Sequence, residues 1–296
     1  MRIFLTGATG FIGGHIVQAL LAHGHHLTCL VRPGSCARLP AHSNVRQVMG
    51  DWLLPASWVR AVPGHAVVIN SIGIIREQRG AGFAAVHTAA PLALFAAAAE
   101  SGVSKIVQIS ALGADAQATS RYHRSKYVAD RRLAELGVPY VVLRPSIVYG
   151  PGDHSMRLFA RLAALPITPV PGDGHYQLQP VQVNDLMRAV VAAVERPDLQ
   201  ALTVDVGGAQ ALTFAAILDT LAHSQGKSHG ARILPIPWPL MRLVAAITDL
   251  AGGIGPITRE ELGMLRRGNT ADIAPFVSAF GFVPLPFAQG IRMRGE

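Results

Sequence analysis

The chain has 296 residues, half of them apolar and 15% charged, which excludes a disordered chain and allows one large globular domain or a large one with a smaller companion. The formal net charge is +8, from 26 Lys and Arg against 18 Asp and Glu. The arginines are scattered, with pairs no longer than Arg131-Arg132 and Arg266-Arg267, and aromatics are only 6%, so the pattern argues against a nucleic-acid surface.

Met1 leads straight into a strand-like run at 2–6, the reading of a chain with no leader segment ahead of its first core strand. Further β-branched runs follow at 26–31, 45–48, 66–70, 105–109 and 140–143. Helical patterns lie between several of them, clearest at 11–23, 83–101 and 120–136. Such alternation implies parallel strands joined by crossover helices, and runs such as Val67-Val68-Ile69, apolar on both faces, suit a sheet covered on both sides. The expected fold class is α/β, a doubly wound parallel sheet of the Rossmann type over residues 1–150.

After Pro145 the pattern changes. Proline and glycine cluster at 166–174 and 235–239, helical runs remain at 183–195, 214–225 and 239–250, and 203–206 reads as one more strand. We read residues 151–296 as a smaller C-terminal α/β lobe that shapes a substrate pocket. The apolar stretch 234–255 is interrupted by Arg242, Asp249 and several prolines and glycines, too often for a bilayer span. Its set Trp238, Leu240, Met241, Leu243, Val244, Ile247 and Leu250 reads as lobe core, an apolar substrate pocket or a membrane-surface helix. Cys29 falls in a buried strand and Cys36 in the next loop, which fits a reducing, cytoplasmic compartment, with peripheral contact to a membrane left open.

The sharpest local signal is Gly7-Ala8-Thr9-Gly10-Phe11-Ile12-Gly13, which follows a strand and opens a helix. Gly7 permits the turn, Gly10 lets a pyrophosphate approach the backbone, and Gly13 lets the helix pack closely. The free N–H groups and the positive end of the helix then face the phosphates. Where NAD-binding chains place an acid for the ribose 2′-hydroxyl, at the end of the second strand, this chain has Arg32, with Arg38 nearby and no acid before Asp51. A guanidinium suits a 2′-phosphate, so NADP(H) is favoured over NAD(H). Asp51 and Trp52 follow the third strand; Asp51 reads either as a contact to the adenine amino group or as a turn residue. Ser71, Ile72 and Gly73 follow the fourth strand, at the carboxyl edge where ligands sit.

Tyr122 and Lys126 stand four apart on a helix, hence on one face. A nearby ammonium favours phenolate, and the lysine can also hold the nicotinamide ribose, so the pair can pass a proton to or from a substrate oxygen. Ser110, at the end of the fifth strand, reads equally as a catalytic or a structural serine. His23, His25 and His26 cluster at a helix end with no converging acids or cysteines, so no metal site is expected.

These segments, with Leu143-Arg144-Pro145-Ser146-Ile147-Val148-Tyr149-Gly150-Pro151-Gly152 and Pro180-Val181-Gln182-Val183-Asn184-Asp185, resemble the extended short-chain dehydrogenase/reductase family over nearly the whole chain. The wording Ser110-Ala111-Leu112-Gly113-Ala114-Asp115 and Arg124-Ser125-Lys126 is similar to its atypical branch, which includes the dehydrogenase-like accessory subunit of respiratory complex I and proteins labelled nucleoside-diphosphate-sugar epimerases. The resemblance implies an oxidoreductase or epimerase-like enzyme with Tyr122 as acid/base, Lys126 as its activator, Ser110 as a third catalytic group, and Pro145 and Ile147 beside the cofactor. The alternative it leaves is a cofactor-binding subunit without turnover. A peripheral adaptor for lipid, quinone or nucleic acid stays open beside it. The chain departs from the family pattern at His87, where an asparagine is expected, and in the twelve residues separating Ser110 from Tyr122.

Overall fold

A strand that is apolar on both faces is satisfied only inside a covered sheet, and β1 (Arg2–Thr6) is buried from Ile3 onward. The computed structural model describes residues 1–293. In it β1 lies in the interior of a seven-stranded sheet with β2 (His26–Val31), β3 (Val45–Met49), β4 (Val67–Asn70), β5 (Lys105–Ile109), β6 (Tyr140–Pro145) and β7 (Leu202–Val206). The order is β7-β6-β5-β4-β1-β2-β3, and neighbours from β6 to β3 pair in parallel. The chain runs outward from β1 through β2 and β3, then returns to β4 on the other side. This reversal opens a crevice beyond the carboxyl ends of β1 and β4, where doubly wound folds take ligands.

Helix α1 (Phe11–Ala22) follows β1 and buries Gly13, Ile16, Val17 and Leu20. The expected single helix at 83–101 is instead a π-helical stretch, Ala84–Ala89, running into α2 (Ala90–Glu100). Pro91 has no N–H for the carbonyl one turn back, and the backbone widens ahead of it. Helix α3 (Arg121–Ala134) is started by Ser120, whose side chain accepts from the N–H of His123. One apolar layer holds Phe4, Leu94, Phe95 and the stacked indoles of Trp52 and Trp58, 5.4 Å apart.

The chain divides into two compact units, and not by a single cut near residue 150. The first takes Met1–Arg144 and Leu186–Asp205; the second takes Pro145–Asp185 and the chain from Val206 on. The segment read as a strand of the smaller lobe is β7, which extends the main sheet beside β6. Its Val204 and Val206 are buried, a gain an edge strand obtains by pairing. The second unit holds α4 (Ser155–Ala164), the start of α5 (Val183–Glu195), α6 (Phe214–Ser224), α7 (Trp238–Leu250) and α8 (Arg259–Arg267). Its core gathers Tyr149, Met156, Phe214, Ile217, Leu218 and Phe287. Among the described residues no helix is long and apolar enough to cross a membrane.

Candidate functional site

The glycine loop has the geometry its residues demand. Gly7 has φ +81°, and a Cβ there would lie 2.8 Å from the Ser71 carbonyl carbon and 2.9 Å from the Ile72 nitrogen. A Cβ on Gly13 would lie 2.0 Å from the Gly7 carbonyl oxygen, so helix and loop touch backbone to backbone. Gly10 caps α1 without any side-chain bond, and no acid stands in the first turn. The N–H groups of Phe11, Ile12 and Gly13 therefore have no intrahelical acceptor and no side-chain cap. An uncapped, acid-free helix start beside a glycine turn fits an anionic pyrophosphate.

Beside this loop is a cleft of about 290 Å³. Gly7, Thr9 and Gly10 form one wall, Arg32, Asp51 and Trp52 a second, and Ser71, Ile72 and Gly73 a third. Nine of the residues expected around a cofactor thus converge on one space. Arg32 is exposed at the end of β2, and Arg38 is exposed in the short helical turn Cys36–Arg38 without lining the cleft. Asp51 accepts the N–H of Leu53 at 3.0 Å, so one carboxylate oxygen organises the turn while the residue still lines the cleft. Trp52 is chiefly a core side chain: it is buried and donates its indole N–H to the Val86 carbonyl at 3.1 Å. Pro145 and Ile147 belong to the second unit, where Ile147 packs on its core.

The strand ends beneath the cleft are tied by a polar ladder that sequence inspection does not single out. Thr6 donates to Asn70 Oδ1 at 2.7 Å, and Asn70 Nδ2 donates to Gln108 Oε1 at 2.8 Å. The Ser71 hydroxyl donates to the Thr6 carbonyl at 2.7 Å. These bonds fix the carboxyl edges of β1, β4 and β5 against one another.

Lys126 is buried on α3, and its Nζ donates to the carbonyls of Ile109 (3.1 Å) and Ile72 (3.3 Å). A Cβ on Gly73 would lie 3.2 Å from this nitrogen, so the ammonium sits against the wall of the cleft. Tyr122, one turn earlier, packs edge-on against Phe83, His87 and His123, with ring centroids 5.8, 5.3 and 5.0 Å away. Burial pushes its phenol up to about 12, so the group carries its proton at neutral pH. Burial also draws the Lys126 ammonium down to about 8, with the Asp130 carboxylate opposing.

His87 occupies the place where an asparagine was expected. Its Nε2 accepts the Ile74 N–H at 2.9 Å. Its Nδ1 lies 3.0 Å from Ser125 Oγ, whose own proton goes to the Tyr122 carbonyl. The bonds are satisfied by one neutral tautomer, protonated at Nδ1. Burial first, then the charge of Lys126, pulls the imidazole down to about 2 and keeps it neutral. Ser110 points elsewhere: its hydroxyl donates to Asp130 Oδ2 at 2.7 Å, the same oxygen that accepts from Arg144 Nε at 3.0 Å. Burial raises the Asp130 carboxyl to about 6 despite Arg144 and Ser110. Of the three groups expected to act together, the structure brings Tyr122 and Lys126 to one helix face and gives Ser110 to a buried ion pair. His23 and His25 share one oxygen of Glu195, at 3.0 and 3.1 Å.

The lowered Lys126 value has a measurable consequence. A buried cation whose folded value lies below its ordinary 10.5 opposes folding while protonated. The wild type therefore gains stability as pH rises from about 8 toward 10.5, when the folded lysine has lost its proton and the unfolded one has not. Urea unfolding at several pH values should show the wild type gaining up to about 3 kcal/mol over Lys126→Met across that window. Parallel pH profiles for the two proteins would contradict the buried ammonium.

A model of the NAD dependent epimerase/dehydratase family matches residues 3–207. The chain is 28% identical over 253 residues to the ceramide reductase of Caulobacter vibrioides, covering 83% of this chain and 77% of that protein. It is 28% identical over 255 residues to the mitochondrial NADH dehydrogenase [ubiquinone] 1 alpha subcomplex subunit 9 of Arabidopsis thaliana, covering 82% of this chain and 62% of that one. The fold is shared with UDP-glucuronic acid 4-epimerase from Bacillus cereus, solved in complex with UDP-glucuronic acid and NAD. The TM-score is 0.75 at 20% identity, over 99% of this chain and 98% of the other.

Proposed function

Because this chain belongs to the NAD dependent epimerase/dehydratase family, we propose that it is an NADP(H)-preferring oxidoreductase in which Tyr122 exchanges a proton with a substrate oxygen and Lys126 supports it. The observation that carries this reading is the Lys126 ammonium against Gly73 in the cleft wall, with Tyr122 one turn away on the same helix. The dinucleotide supplies the hydride chemistry. The first turn of α1 and Gly7, Thr9 and Gly10 hold its phosphates, and Arg32 meets the 2′-phosphate. A phenol that keeps its proton up to about 12 is an acid at neutral pH, which suits reduction: Tyr122 donates to the oxygen of a carbonyl as it becomes an alcohol. Lys126 carries the positive charge that eases this loss and holds the cleft edge through Ile72 and Ile109.

The ceramide reductase among its relatives supports the reductive direction and a substrate of aliphatic character. The test is titration with NADPH and NADH side by side, followed by NADPH oxidation against a panel of aliphatic ketones. Tighter binding of NADH, or no oxidation with any ketone, would sink the proposal. Arg32→Asp should reverse the preference, with NADPH affinity falling roughly tenfold or more while NADH is held as well or better. An unchanged ratio in that titration would remove Arg32 from the 2′-phosphate.

A second reading, a subunit that holds the dinucleotide without turnover, is favoured by one observation: the Ser110 hydroxyl is engaged with Asp130. NADPH binding with no turnover of any ketone or alcohol would select it.

A further inference from the structure

Helix α7 turns one apolar face inward and another outward. Ala245 and Thr248 are buried, whereas Leu240, Leu243, Ile247 and Leu250 are 50%, 57%, 58% and 89% exposed. Ile254, just past the helix end, is 84% exposed. At 3.6 residues per turn the four helical positions fall within about 80° of one another, so they form a single stripe. The charged residues of the helix, Arg242 and Asp249, fall outside it. Leu234, exposed in the strand leading to α7, extends the apolar surface upstream. Soluble monomers seldom leave a continuous aliphatic stripe uncovered.

The stripe holds leucine and isoleucine alone, without the aromatic anchors that protein interfaces favour. On α7 and α8 the basic groups Arg242, Arg259, Arg266 and Arg267 stand against Asp249, Glu260 and Glu261, a small basic excess within a chain of net charge +8. Asp249 lies 3.8 Å from Arg259, and Glu261 is engaged in the capping box that starts α8. Arg242 is exposed at the flank, and the Arg266 guanidinium lies over the Trp238 ring, 5.7 Å from its centroid, at the start of the helix. Exposed aliphatic side chains on a helix that carries an exposed guanidinium divide between acyl chains and headgroups. Thirteen residues are too few to span a bilayer but enough to lie in its surface.

We propose that α7 and the turn to Ile254 form a membrane-docking face that seats in the surface of a bilayer containing anionic lipid. The inference does not depend on the cofactor or on turnover. The test is co-sedimentation of the full chain with vesicles of phosphatidylcholine alone and of phosphatidylcholine mixed with phosphatidylglycerol. Binding is expected to the mixed vesicles, roughly tenfold weaker to the neutral ones, and weakening with salt. The double variant Leu243→Glu, Ile247→Glu changes exposed side chains only, so its Tm should hold while vesicle binding falls at least about tenfold. Arg242→Glu should lower binding to the mixed vesicles and leave the neutral ones unaffected. No binding to either vesicle, equal binding to both, or full binding by the double variant overturns the proposal. A dimer in sedimentation velocity that the double variant splits, with no vesicle binding, would assign the face to a second copy of the chain and also overturn it.

Discussion

Tyr122→Phe should lower NADPH-dependent turnover by roughly 100- to 10,000-fold while leaving dinucleotide affinity and Tm where they are. The substitution keeps the ring and so keeps the edge-on contacts with Phe83, His87 and His123. It removes only the O–H, the group assigned here to hand a proton to a nascent alcohol oxygen at neutral pH. The expected signature is a fall in kcat and kcat/KM together, because the lost interaction belongs to the transition state. Lys126→Met should also cut turnover, but with a change in dinucleotide binding, since its ammonium lies against the cleft wall at Gly73. If the Phe variant turns over as fast as wild type, proton transfer passes through another group and the assignment of Tyr122 fails.

The second large effect separates two glycines that look alike in sequence. Gly13→Ala should destabilise the protein by about 3 kcal/mol or more, because its Cβ would sit 2.0 Å from a backbone oxygen that cannot swing aside. Gly10→Val should be nearly neutral for folding, within about 1 kcal/mol. Gly10 has an extended backbone (φ −83°, ψ 175°) that valine adopts, and its Cβ would meet only the Gly7 carbonyl oxygen at 3.3 Å. The valine methyls would instead crowd the cleft where phosphates approach, so NADPH affinity should drop by roughly 100-fold or more. Urea unfolding and calorimetric titration of both variants check this. A Gly10→Val protein that binds NADPH normally would move the phosphates away from the loop.

The fold class, the glycine turn and the Tyr122–Lys126 pair were legible in the sequence because each is a local signal. Strand and helix periods depend on neighbours in the chain, a turn needs its glycines within a few residues, and a four-residue spacing places two side chains on one helix face. Local periodicity also identified 203–206 as a strand but had no means of giving it to the main sheet, since pairing with β6 joins segments about 60 residues apart. The short strands of the second unit, two to four residues each, are below the length at which alternation can be recognised.

Only the tertiary structure decided what the remaining polar groups do. The amino-acid order offers Ser110 as a catalytic serine as readily as a structural one; the approach of Asp130 and Arg144 turns its hydroxyl into the ion pair. His87 reads as a departure from a family pattern, and only the fold shows it held neutral between Ile74 and Ser125 beneath Tyr122. The apolar set of α7 allows a core helix or a surface one, and the outward turn of Leu243, Ile247 and Leu250 is fixed by what packs on the opposite face. Helical period says which residues share a side, whereas burial depends on the long-range contacts that choose which side faces in.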